Sequence, residues 1–246
     1  LTLNEVQRFT ICKNLTQLVE RLEACQCAHR DFSGGNVFID INTLGVALID
    51  YDSLYHASLS MPKATTSGTI GYAAPYAWNN GDLDPSKTWC EYADRYALSL
   101  IIAEFLLINP SAEMTGDGGI FDQEELRKCS GKGLSTIVRE LQTRHPQAAQ
   151  LLEKTIQSSQ FSDCPSPQDW YDVYITVPGV MVDPPSLKDF PPVQVSLPKK
   201  RKAAEPVWPA PRLDEIAPGK LLIPKSHKTV IPGLALPANP WINRSA

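Results

Sequence analysis

Asp31, Asn36 and Asp50 have the types and spacing that phosphoryl transfer calls for. A carboxylate must accept or orient the proton of the nucleophile. Separate oxygen ligands must hold magnesium, and the phosphates must be positioned in line. Magnesium takes hard oxygen ligands from one or two side chains and completes its shell with water and phosphate. The stretch CAHRDFSGGNVFID (27–40) sets Asp31 on a loop shortly before Asn36. Two β-rich segments, NVFID and GVALID, follow with the turn INTL between them, which predicts a hairpin. That hairpin returns Asp50 to the end of the fold where Asn36 begins.

The elements around this loop read as helices. From Asn4 to Ala24, apolar residues recur at helical spacing (Val6, Phe9, Leu15, Leu18, Val19, Leu22), so an amphipathic helix leads into the loop. Asp94 to Asn109 is apolar on most faces and predicts a buried helix. FDQEELRKC, LSTIVRELQ, PQAAQLLEKTIQ and SPQDWYDVYI predict four more. The last opens with Ser166 as N-cap and Pro167 at the first helical position. A polar Ser/Thr-rich stretch covers 53–67, and TGDGG (115–119) reads as a loop. The expected fold class is therefore mainly α with a small β-hairpin.

HRDFSGGN resembles the HRDxxxxN catalytic loop of eukaryotic-type (Hanks-type) serine/threonine protein kinases, and LIDYD resembles the strand and DFG that follow it. SGTIGYAAPY (67–76) is similar to the GTxxYxAPE signature that closes the activation segment. ADRYALSLIIAEFL (93–106) is similar to the DxxxLGxxLxEL helix of the large lobe, and CPSPQDW (164–170) resembles its RPSxxEW helix. The motifs stand in family order and cover roughly residues 4–176. The resemblance implies a divergent kinase large (C-terminal) lobe over 1–182. No GxGxxG strand, VAIK-type Lys or helix with its paired Glu is present, so the small lobe is absent from this chain.

Carried over residue by residue, the resemblance makes Asp31 the catalytic base and Thr69 the threonine that contacts it. Asn36 and Asp50 become the magnesium ligands that serve ATP. Asp94 would accept backbone N–H bonds from the loop, and His29 would pack beneath it. Arg30 would receive an activation-segment phosphate, with Ser60, Thr65, Thr66 and Ser67 as acceptors. The departures are equally specific. Ser33 stands where a Lys neutralises the transferred phosphate, and losing that cation would cost about 3 kcal/mol in the transition state. Asp52 replaces the Gly of DFG. Tyr76 replaces the Glu of APE, and Cys164 replaces the Arg that pairs with it, so both partners of one buried ion pair are gone together.

The expected activity is ATP γ-phosphoryl transfer to a protein Ser/Thr. Two alternatives stand beside it. One is a pseudokinase scaffold that binds a regulatory partner protein; Ser33 and the missing lobe favour it. The other is a small-molecule kinase of the aminoglycoside or choline phosphotransferase type, which also uses HxDxxxxN and a DxD like Asp50-Tyr51-Asp52. The GTIGYAAP segment argues against that second alternative.

Composition bounds the remaining choices. The 246 residues carry 43% hydrophobic and 20% charged side chains and a net charge of -4, which is ordinary for a globular chain. Residues 183–246 differ: they hold ten Lys/Arg against five Asp/Glu and 13 of the 21 prolines. They read as a Pro-rich, extended or disordered tail whose apolar stretch, LLIPKSHKTVIPGLALPANPW, could dock a partner. PKKRK (198–202) keeps a nuclear-import role open beside a plain charge run, and nucleic acid is not the expected partner. Six cysteines without a CxxC pair predict reduced, buried thiols and neither disulfides nor zinc. No signal peptide is visible. The longest apolar run, YALSLIIAEFLLI (96–108), is too short to cross a bilayer and contains Glu104. No membrane is expected, and the cytoplasm is the expected compartment.

Overall fold

Asn4 starts the fold by capping helix α1 (Glu5–Ala24). Its Oδ1 accepts the Gln7 N–H at 2.9 Å, and Gln7 Oε1 accepts the Asn4 N–H at 2.9 Å. Two donors stranded at the helix start are thereby satisfied reciprocally. Phe9, Leu15 and Val19 of the expected stripe are buried, whereas Val6 in the first turn stays exposed. The computed structural model describes residues 3–63, 68–107 and 119–180.

Helix α2 (Arg95–Leu107) is the centre of the core, buried along nearly its whole length. It packs against α1 and against α4 (Lys132–Arg144) and α5 (Pro146–Ile156), which also pack on one another. Each fully buried Leu or Ile, such as Leu98, Leu100 and Ile102, contributes roughly 1.5–3 kcal/mol. Arg95 ties the start of α2 to the end of α1: its Nε and Nη2 reach the two Glu23 oxygens, both at 2.7 Å. Helix α6 (Pro167–Tyr174) closes the core against α1, with Ser166 and Asp169 forming a second capping box. The helix expected from FDQEELRKC is short, α3 (Gln123–Arg127), because Cys129 turns into the left-handed region at φ 50°.

The expected hairpin is present. β2 (Val37–Asp40) pairs antiparallel with β3 (Gly45–Leu48), Val37 facing Leu48. Two further pairs were not expected. β1 (Cys27–Ala28) pairs with β4 (Tyr55–His56), which folds the chain after Asp50 back beside the loop. β5 (Trp78–Asn79) pairs with β6 (Asp82–Leu83) through Asn80 and Gly81, at φ 51° and 97°. Left-handed conformations at both central positions are what an Asn-Gly turn provides. The fold is therefore mainly helical with small antiparallel strand pairs.

The cysteine expectation needs correction. Cys12 and Cys164 are buried, but Cys25 and Cys129 are exposed and Cys27 and Cys90 lie between. Cys25 follows the last turn of α1, and Cys129 follows the end of α3, where its thiol donates to the Ile156 carbonyl at 3.2 Å. All six thiols are free, and no cluster of three metal-ligating side chains exists among the described residues. All described residues belong to one compact unit, Leu1–Gln194. The expected tail at 183–246 with its PKKRK run, the acceptors Thr65, Thr66 and Ser67, and TGDGG apart from Gly119 lie outside the described residues. No described helix is long and apolar enough to cross a membrane.

Candidate functional site

Asp94, at the threshold of α2, pins the loop from beneath. Its Oδ2 accepts the His29 N–H at 2.6 Å and its Oδ1 the Arg30 N–H at 2.8 Å. Burial pushes the Asp94 carboxyl above its ordinary range, and the two backbone N–H bonds pull it back. The His29 ring is buried, and its Nε2 lies 2.8 Å from the Ile49 carbonyl. Because a carbonyl accepts, Nε2 carries the proton, and buried Nδ1 has no partner. His29 therefore packs beneath the loop, as expected, and ties it to the residue just before Asp50.

Above this base the structure brings Asp31, Asn36 and Thr69 together. Thr69 Oγ1 donates to Asp31 Oδ1 at 2.6 Å. Asn36 Nδ2 donates to the Asp31 carbonyl at 2.8 Å and to Asp31 Oδ2 at 3.1 Å. The amide nitrogen is thus committed, and no donor among the described residues is bonded to Asn36 Oδ1. Ile49 N–H donates to the Asn36 carbonyl at 3.1 Å, one step beyond the β2–β3 ladder. Asp50 follows with φ 63° and ψ 65°, a left-handed turn that ends the strand, and this exposed residue stands at the end of the hairpin where Asn36 begins. Asn36 Oδ1 and the Asp50 carboxylate are hard oxygen donors of the kind magnesium takes when water and phosphate fill the rest of its shell.

Arg30 is held by the backbone around the loop. It is 3% exposed, and its guanidinium donates to the carbonyls of Ser53, Pro85 and Thr88 and to Thr88 Oγ1, at 2.9–3.1 Å. It also lies 4.6 Å over the Trp89 ring. The cation is thus a clamp that gathers the loop, the segment after Asp50 and the segment before α2. Thr65, Thr66 and Ser67, the acceptors expected to bring a phosphate to it, lie outside the described residues. Ser60 is exposed.

Ser33 is buried at the start of the 3-10 turn Gly34–Asn36, so no cation occupies the loop there. Tyr76 and Cys164, the two positions expected to face one another, do so: Tyr76 Oη lies 3.3 Å from Cys164 Sγ and 3.3 Å from Ser158 Oγ. A neutral, hydrogen-bonded contact stands at that place. Burial pushes the Tyr76 hydroxyl far above its ordinary range, so it stays neutral.

Three residues missed from the sequence also hold the site. Tyr72 Oη donates to Glu104 Oε2 at 3.0 Å, and Glu104 Oε1 accepts the Ile120 N–H at 2.9 Å. The Gly34 N–H faces the same Tyr72 hydroxyl, and a Cβ on Gly34 would come within 2.8 Å of it. Gln123 reaches the backbone of Gly71 and Ala73. Glu104 was legible as a carboxylate in an apolar helix, but its partners lie too far along the chain to be read. The open groove between α4 and α5, about 480 Å³ and floored by Leu134, Val138 and Ile156, holds none of the residues named for the site. No protein-family model and no curated protein matches the chain.

Proposed function

We propose that the chain is the large lobe of a divergent serine/threonine protein kinase and that Asp31 is its catalytic base. The carrying observation is the convergence on Asp31: Thr69 on one carboxylate oxygen, and Asn36 on the other oxygen and on the backbone. These bonds fix the carboxylate while Asn36 keeps its own oxygen for a cation. Bound at Asn36 and Asp50, magnesium would neutralise charge on the ATP phosphates and orient them. The chain's own residues do the rest. Asp31 orients a substrate Ser or Thr hydroxyl and takes its proton as the oxygen attacks the γ-phosphorus. The bond from that phosphorus to the β–γ bridging oxygen breaks, and ADP leaves. Thr69 holds Asp31 in the rotamer that faces the hydroxyl. The segment 68–77 lies beside the base, which favours a peptide over a small amino alcohol.

The buried Ser33 favours a second reading, a scaffold that binds magnesium and ATP without turnover, because no cation sits on the loop to meet the transferred charge. One experiment separates the readings. The protein carrying this chain is offered ATP with Ser/Thr peptides and, in parallel, with amino alcohols. Transfer to peptides is the expected result. Transfer to amino alcohols alone would overturn the protein-kinase reading, and nucleotide binding without transfer would establish the scaffold.

A further inference from the structure

The segment that carries Thr69 is gripped by one planar amide. Gly71, at φ 90°, donates its N–H to Gln123 Oε1 at 2.8 Å, and Gln123 Nε2 donates to the Ala73 carbonyl at 3.0 Å. A single side chain thus satisfies a donor and an acceptor two residues apart, as a neighbouring strand would. Gln123 is itself 9% exposed and opens α3 behind the Asp122 N-cap, so its own position is fixed. Two other bonds complete the hold. The Tyr72 N–H donates to the Thr69 carbonyl at 3.1 Å, closing a turn, and the Tyr72 hydroxyl is anchored on Glu104. Thr69 stands at one end of this braced segment, where its hydroxyl meets Asp31. Ile70, at 64% exposed, is the side chain the brace turns outward.

We infer that Gln123 is a positioning residue that sets the reach of Thr69 Oγ1 to Asp31 through the backbone of Gly71 and Ala73. The inference rests on the reading of Asp31 as the base. The chemistry of the side chain is specific. Glutamate would still accept from Gly71 but has no donor for Ala73 and would set a carboxylate against that carbonyl. Alanine would leave both backbone groups without partners.

The test compares Gln123→Ala, Gln123→Glu and Thr69→Ala in the full chain by amide hydrogen exchange, with α2 as internal reference. Gln123→Ala is expected to speed exchange of the Gly71 amide by about tenfold, the effect of losing one net hydrogen bond, with α2 unchanged. Gln123→Glu is expected to keep the Gly71 amide protected. Unchanged Gly71 exchange in Gln123→Ala would overturn the brace. If Gln123→Ala also loses protection in α2, Gln123→Glu decides instead, and exposure of its Gly71 amide would overturn the brace. The link to Asp31 is read from kinetics. Gln123→Ala and Thr69→Ala should lower kcat by a similar factor, the double variant no further, and the nucleotide KM should hold. Multiplying effects on kcat would overturn the positioning role. Absence of transfer by the wild type would overturn the phosphotransfer reading, while Gly71 exchange would still decide the brace.

Discussion

Replacing Asp94 by Ala removes the acceptor for two backbone N–H groups at once. His29 and Arg30 donate to it at 2.6 and 2.8 Å, and the carboxylate is 2% exposed. A buried donor left without a partner costs about 1–3 kcal/mol, so the two together cost about 4 kcal/mol. That is a large share of the roughly 5–15 kcal/mol that holds a domain folded. For a domain of this size each kcal/mol moves the midpoint by about 2–4 °C, which gives a fall in Tm of roughly 8–16 °C. Asp94→Asn keeps one acceptor and turns its amide hydrogens toward the other N–H, so about half the loss is expected. Thermal and urea unfolding followed by circular dichroism measure both. Glu140→Ala, on the exposed face of α4, serves as control and should leave the midpoint where it is. An Asp94→Ala protein within about 1 kcal/mol of the wild type would refute the claim that this carboxylate pins the loop.

Glu104 adds a pH dependence. Burial pushes its carboxyl from 4.5 up to about 7. The folded value exceeds the unfolded one, so the contribution to stability is full below about pH 4.5 and is lost as the pH rises through 7. The shift amounts to roughly 3 kcal/mol across that window, and Glu104→Gln should flatten the slope of unfolding free energy against pH. Equal slopes would contradict it. At the Tyr76–Cys164 contact, Tyr76→Glu alone should cost about 3–5 kcal/mol by burying an unpaired charge, and adding Cys164→Arg should recover part of it. Strict additivity in the double variant would show that the two positions do not communicate. Arg30→Lys should cost at least about 2 kcal/mol in unphosphorylated protein, because an ammonium cannot reproduce the planar fork on three carbonyls. An effect confined to phosphorylated protein would contradict it.

Local signals account for what could be read from the chain. Asn4 three residues before Gln7, Ser166 before Pro167, and the apolar run through α2 each state a helix without help from distant residues. The β2–β3 hairpin follows from two short β-rich runs around a turn, and the contacts of Asp31 with Asn36 and Thr69 stand where the motif spacing put them. The β5–β6 hairpin had an equally local signal, Asn80-Gly81, but its strands are two residues each, too short to show an alternating pattern. The Arg30 clamp is of another kind. Its acceptors are mostly backbone carbonyls at 53, 85 and 88, and a carbonyl has no sequence signature. The same holds for Gln123, whose partners are the backbone of Gly71 and Ala73. The exposure of Cys25 and Cys129 depends on where α1 and α3 stop, and a few residues of shift at a helix end reverse it.

Asp31 is proposed to take the proton of an attacking protein hydroxyl. The most direct measurement is incorporation of the ATP γ-phosphoryl group into protein Ser/Thr by the wild type and by Asp31→Asn, side by side, with unfolding midpoints recorded for both. The expected result is labelling by the wild type and none by the variant at an unchanged midpoint. Undiminished labelling by Asp31→Asn would show that Asp31 is not the base.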